Sequence, residues 1–334
     1  MQATIKDIAK ATGFSVATVS RVLSNKKGFF SEKTAAKVNQ VAKELGYKKN
    51  MSATELVTKK SNVIAALINS TKTNFSDSII KGIQDKADEL GKTVIILYAG
   101  DRDARAQKKA LTTALERSVA GILLLSVDLS PENLTLLKSA RTPFYFISIT
   151  FQDTALPCIT SNDHGIGYLA TSYLIRQGHR RIGLAGLDFS DSYTGKLRLA
   201  GYQAALAENQ LSAHSEWVQA GDYSYEAGIA ALDAYAQNSE LPITAVIAGS
   251  DMVGIGILNR ASALKIPVPP QKLSIVTIDG TDLCRIVQPP LTSVTQDFYK
   301  MGYVGLERLL ENAAGITYTQ SELTERKSVL AVKK

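Results

Sequence analysis

Beyond about residue 60 the chain alternates short, unbroken apolar runs with longer amphipathic stretches, and it does so twice. The first set has strand-like runs at 63–68, 94–98, 121–125 and 144–149, with helical candidates at 79–90 and 104–117. The second has runs at 182–187, 246–248 and 273–278, with helical candidates at 166–177, 195–209, 225–237 and 252–264. Strands that are apolar throughout are buried on both faces, which parallel strands achieve when crossover helices cover them. Those crossovers are right-handed. The pattern therefore specifies an α/β body of two similar, doubly wound parallel-sheet subdomains with a cleft between them. Ligands in such folds sit at the carboxyl ends of the strands.

The length, 334 residues, calls for two or three domains, and 45% hydrophobic with 21% charged residues is the balance of a soluble globular protein. No run of about 18 apolar residues is present to span a membrane. The N-terminus, MQATIKDIAKATG, lacks the apolar core of a signal peptide, so the expected location is cytoplasmic. Two cysteines, Cys158 and Cys284, form neither a disulfide framework nor a multi-cysteine zinc site.

The net charge of +7 is unevenly placed. Residues 1–60 hold 12 Lys/Arg against 4 Asp/Glu, and the remaining residues are close to neutral at −1. A basic segment ahead of a neutral body suggests a domain that meets a polyanion, the bland alternative being a solubilising terminus. The pattern favours the former. Thr4 with Asp7 three residues later is a capping-box variant opening a helix that carries Ile5, Ile8 and Ala9 on one face. Gly13 breaks it, and Ser15 caps a second helix, 16–23, with Val19, Val22 and Leu23 inward. Ser31 caps a third, carrying Val38, Val41, Ala42 and Leu45 and ended by Gly46. Two short helices around a glycine turn, braced by a third, make a helix-turn-helix, whose second helix enters the major groove. Val16, Ala17, Thr18, Ser20 and Arg21 are then the base-facing residues. Small apolar groups contact thymine methyls, and arginine donates two hydrogen bonds to guanine.

Residues 4–47, with the run SVATVSRVL at their centre, resemble the DNA-binding headpiece of the LacI/GalR family of bacterial repressors, and the similarity continues through the whole chain. The resemblance implies that Val16 and Ala17 choose the operator, that Arg21 reads a nearby base, and that Thr4, Ser15, Ser20, Ser24 and Asn25 hold phosphates. Residues 50–57, NMSATELV, match the family's hinge helix, placing Asn50, Ala53 and Leu56 on DNA, with Leu56 as the apolar wedge that opens a base step. Glu55 departs from the pattern, since an acidic side chain there weakens contact with phosphates.

The same resemblance makes the body a periplasmic-binding-protein-like fold that couples a small effector to the headpiece. Matching segments are 194–202, 249–251, 278–280 and 290–298. Carried over by position, Arg198 and Asp279 clamp ligand hydroxyls, with Thr194 in the matching segment beside them. Phe75 and Tyr223 are aromatic platforms, and Gln296 and Phe298 lie on the crossing strands. Ser148 and Ser250 stand where relatives often carry Asp and Asn. Arginine and aspartate hydrogen-bonding vicinal hydroxyls, with an aromatic face against C–H groups, suit a sugar. Arg198 also has a purely structural reading, as half of an ion pair on an apolar helix.

The expected domains are a headpiece at 1–48, a hinge at 49–60, one core subdomain from 61–161 and 291–322, and the other from 162–290 and 323–334. Catalytic signals are otherwise absent. Residues 165–170 fit a GxGxxG/A dinucleotide pattern but read as the start of a capped helix. The three histidines, His164, His179 and His214, lack metal-ligand spacing, and His179 reads as a turn residue before a strand. No cofactor or metal is implied. The chain reads as a non-enzymatic, sequence-specific regulator, a repressor of carbohydrate-utilisation genes whose affinity for double-stranded, pseudo-palindromic operator DNA is tuned by a small sugar. The main alternative keeps DNA binding but answers to a non-sugar corepressor, a nucleobase or a phosphorylated partner protein. A transport binding protein or enzyme with an incidental basic terminus is the remaining class. Residues 331–334 carry no heptads, so a homodimer is expected rather than a coiled-coil tetramer.

Overall fold

The computed structural model describes residues 3–24, 28–47, 61–69, 74–237, 241–268 and 272–332. Two compact units divide the chain, Met1–Ser61 and Asn62–Lys334.

In the first unit, α1 (Ile5–Thr12), α2 (Val16–Leu23) and α3 (Glu32–Glu44) form around the caps read from the sequence. The capping box is reciprocal: Thr4 Oγ1 accepts the Asp7 N–H, and Asp7 accepts the Thr4 N–H at 2.8 Å. Gly13 takes a left-handed φ of 76°, which lets the chain turn at once into α2. Gly46, φ 62°, closes α3: its N–H reaches Lys43 O while that of Tyr47 reaches Ala42 O. Ile8, Ala9, Val19, Val22, Val38 and Ala42 are the buried core. Leu45 departs from expectation at 42% exposed, because it lies at the C-cap, beyond the inward stripe of α3.

The second unit holds two six-stranded sheets. The first contains β1 (Val63–Ile68), β2 (Thr93–Tyr98), β3 (Gly121–Leu125), β4 (Phe144–Ile147), β5 (Cys158–Ser161) and β11 (Ile316–Thr319), in spatial order 11-5-4-3-1-2, all parallel. The second contains β6 (Ile182–Leu187), β7 (Val218–Ala220), β8 (Ala245–Ala248), β9 (Ser274–Asp279), β10 (Thr292–Gln296) and β12 (Ser321–Thr324), in order 12-10-9-8-6-7. Here β12 alone runs antiparallel, on β10. Register in the first sheet sets Ile64 between Val94 and Gly121. β3, β6, β8 and β9 are buried at every position, as unbroken apolar runs require.

The chain crosses between subdomains three times, after β5, after β10 and between β11 and β12. The expected boundary at 290/291 would put β10 in the first subdomain. The strand pairs with β9 in the second, so the return falls after Gln296. Its mixed sequence, TSVTQ, gave no apolar run by which to assign it.

Helices cover the sheets: α4 (Ser76–Glu89), α5 (Ala104–Glu116), α6 (Pro131–Ser139) and α12 (Phe298–Leu310) on the first, and α7 (Asp163–Arg176), α8 (Tyr193–Glu208), α9 (Tyr225–Tyr235) and α10 (Asp251–Ala263) on the second, with a short α11 (Leu283–Ile286). The GxGxxG-like pattern is resolved by α7 and α8. A Cβ at Gly167 would stand 2.1 Å from Arg198 O, and one at Gly201 would stand 2.0 Å from His164 O. These glycines let two helix backbones touch. The helix starts at Asp163 with Asn162 Oδ1 accepting the Gly165 N–H at 3.0 Å.

Candidate functional site

The carboxyl ends of the strands in both sheets face a cavity of about 480 Å³. Phe75, Ser148, Thr194, Arg198, Tyr223, Asp279, Gln296 and Phe298 all line it, although they come from segments spread over more than 200 residues. Phe298 does so from the first turn of α12 rather than from a crossing strand. Its ring stacks on Phe75 with centroids 4.7 Å apart and planes 16° apart, forming one aromatic wall.

Ser250 is the exception. Its hydroxyl is fully buried, donates to Tyr223 O at 2.7 Å and accepts the Val253 N–H at 3.1 Å. A serine between a strand and a helix is taken up by the cap, so it does not present itself to a ligand. It holds the Tyr223 backbone instead.

The opposite wall is charged. Arg198 Nε donates to Asp163 Oδ1 at 2.9 Å and its Nη1 donates to Gly249 O at 3.2 Å, with both side chains of the ion pair buried. Thr150 Oγ1 donates to the other Asp163 oxygen at 2.7 Å. Burial works against the Arg198 charge, but Asp163, Tyr223 and Asp279 outweigh it and raise its pKa further. The structural ion pair is therefore real, and it leaves other guanidinium N–H groups toward the cavity. Asp279 accepts from Gln296 Nε2 at 2.9 Å. Burial, and then Asp251, push its carboxyl well above the ordinary range, against the pull of Arg198 and Gln296. Asp251 is anchored beneath by Thr277, Cys284 and the N–H groups of Gly280 and Thr281.

Five cavity residues at or beyond strand ends are non-glycine residues with positive φ: Arg102 at 51°, Ser126 at 51°, Ser148 at 58°, Tyr223 at 64° and Asp279 at 111°. Such conformations cost on the order of 1–3 kcal/mol each and concentrate where a fold orients side chains for a task. One buried polar atom on the lining, Asn69 Oδ1, has no hydrogen-bond partner among the described residues.

Sequence reasoning missed Asn69, Arg102, Asp163 and Asp188. Arg102, on the first subdomain, reaches across to Asp188 at 2.5 Å and Asp191 at 3.7 Å on the second. Asp163 had a visible signal, an acid and an arginine on adjacent apolar helices, which burial obliges to pair. His179 is buried, with its ring nitrogens 3.0 Å from Thr244 Oγ1 and Leu330 O, so it is structural. No group of metal-ligating side chains occurs, and no helix is long and apolar enough to cross a membrane, among the described residues.

On the headpiece, Val16, Ala17, Arg21 and Ser24 are exposed along α2, and Thr18 and Ser20 are half-buried. Arg21 lies over the exposed Phe29 ring at 5.3 Å, a contact the sequence did not announce. The hydroxyls of Thr4 and Ser15 already serve as caps. Asn25, Asn50, Ala53 and Leu56 lie outside the described residues.

Residues 4–50 match the family model described as bacterial regulatory proteins, lacI family. Residues 61–268 match periplasmic binding proteins and sugar binding domain of LacI family. The chain is 32% identical to the HTH-type transcriptional repressor PurR of Pectobacterium carotovorum subsp. carotovorum (strain PC1), covering 98% of this chain and 97% of that one. Among solved structures, a transcription regulator from Lactobacillus plantarum is 44% identical, with a TM-score of 0.74 over 80% of this chain and 100% of that one. The lac repressor dimer bound to operator and the anti-inducer ONPF gives 27% identity and a TM-score of 0.88 over 99% of this chain and 100% of that one. With a capped helix-turn-helix ahead of two largely parallel sheets that enclose a cavity, and with both parts matched in order, this chain belongs to the LacI family of bacterial regulatory proteins.

Proposed function

We propose that the protein is a cytoplasmic, non-enzymatic repressor of carbohydrate-utilisation genes, working as a homodimer. Each dimer sets two α2 helices in successive major grooves of a pseudo-palindrome, about 34–36 Å apart. Val16, Ala17 and Arg21 read bases, Thr4, Ser15, Ser20, Ser24 and Asn25 hold phosphates, and Asn50, Ala53 and Leu56 act in the hinge. A sugar in the cavity shifts the angle between the subdomains and so the operator affinity. That requires the ligand to bind the two arrangements with different affinity.

The observation that carries this reading is the cavity itself: an aromatic wall facing a hydrogen-bonding wall, at the strand ends where this fold class takes ligands. The family model's own description, a sugar binding domain, supports it. The second reading, a nucleobase, is favoured by the stacked Phe75–Phe298 pair, on which a planar ring could lie. Operator binding measured with mono- and disaccharides and with free nucleobases separates them. A saccharide that changes affinity supports the first reading, and a nucleobase acting alone supports the second. The DNA-binding role itself is tested by the salt dependence of operator affinity, whose slope collapses when Arg21 and the lysines of residues 1–60 are replaced.

A further inference from the structure

The cavity's polar groups are unequal in sign and in hydrogen-bonding sense. Besides Asp279, whose carboxyl burial pushes well above the ordinary range, five aspartates line it against two arginines, and among the described residues no lysine does. Neither arginine brings net positive charge. Arg198 is neutralised by buried Asp163, and Arg102 is held by Asp188 and Asp191. The lining is also rich in acceptors. Asn69 Nδ2 donates to Ser126 O at 2.8 Å, which fixes the amide so that its partnerless Oδ1 is an acceptor. The carboxylates of Asp101 and Asp128 are acceptors as well. Arg198 still offers N–H groups beyond the two it has committed.

A hydroxyl both donates and accepts, so it satisfies Asn69 Oδ1 and the carboxylates on one side and Arg198 on the other. A phosphate or carboxylate group on the ligand accepts only. It would leave those acceptors unmet and set like charges together at reduced dielectric. Resting on the sugar reading above, we propose that the cavity selects an uncharged polyhydroxy compound and rejects its phosphorylated or acidic counterparts.

The test is calorimetric titration of the full chain with glucose, galactose, ribose, sucrose, cellobiose and maltose, each paired with a phosphate ester. At least one neutral sugar is expected to bind, with its ester at least tenfold weaker, which corresponds to about 1.4 kcal/mol. An ester that binds more tightly than its parent overturns the charge inference while leaving the sugar reading standing. Silence from every pair overturns both. The double variant Asp101→Asn/Asp128→Asn is expected to narrow the gap between sugar and ester by at least threefold. A gap that does not move overturns the electrostatic cause.

Discussion

The two walls of the cavity solve different problems. The wall from the first subdomain presents an aromatic pair, Phe75 stacked on Phe298 and continuous with a core that includes Ile79, Ile147 and Met301, beside polar residues that include Asn69, Asp101 and Asp128. The wall from the second carries buried charge, with Arg198 locked to Asp163 and Asp279 tied to Gln296. A stacked aromatic pair gives shape and loses stability in proportion to what is cut away. A wall of paired charges gives direction, and removing one partner leaves the other stranded. The contrast teaches that single substitutions should cost differently on the two sides.

The sharpest way to break the comparison is Asp163→Asn. It leaves the Arg198 guanidinium buried without its main counter-charge and should destabilise the body by about 3–5 kcal/mol, read by denaturant unfolding of the full chain. Replacing the pair together, Arg198→Met with Asp163→Leu, should recover much of that loss while removing effector binding. In the aromatic pair, Phe298→Ala deletes a side chain that is 5% exposed and should cost about 3 kcal/mol through the cavity it leaves. Its effect on ligand affinity should not depend on ligand charge, whereas that of Asp101→Asn/Asp128→Asn should.

Acid sharpens the contrast further. Burial holds His179 below its ordinary value near 6.5. The unfolded chain therefore takes up a proton that the folded chain refuses. Stability from this group is complete above about pH 6.5 and falls as the pH drops toward the folded value. His179→Gln should flatten that part of the stability profile. The smallest effect is expected from Arg102→Ala, whose exposed bridge between the walls is worth about 0–1 kcal/mol in stability. Its signature should be a changed effector affinity with little change in unfolding midpoint.

What was legible in the sequence follows the same physics. Helix caps act within three or four residues, so Thr4, Ser15 and Ser31 announced their helices accurately. Strands buried on both faces announced themselves as apolar runs. The strands β7, β11 and β12 did not, being three or four residues long and mixed in composition. The return to the first subdomain after β10 was misplaced for the same reason. Eight of the nine cavity residues named by resemblance line the cavity, and Ser250 was lost to a helix cap. Asn69, Arg102 and Asp188 were illegible because their significance arises only when strand ends distant in sequence converge. Arg21 on Phe29 is the headpiece counterpart, a contact between α2 and a residue ahead of α3.

The most direct measurement is the affinity of the full chain for its operator, titrated with whichever uncharged sugar binds the cavity. At least a tenfold change is expected at saturation, lost in Arg198→Met/Asp163→Leu while binding to DNA without sugar persists. An operator affinity unchanged at saturating sugar would contradict control by a sugar.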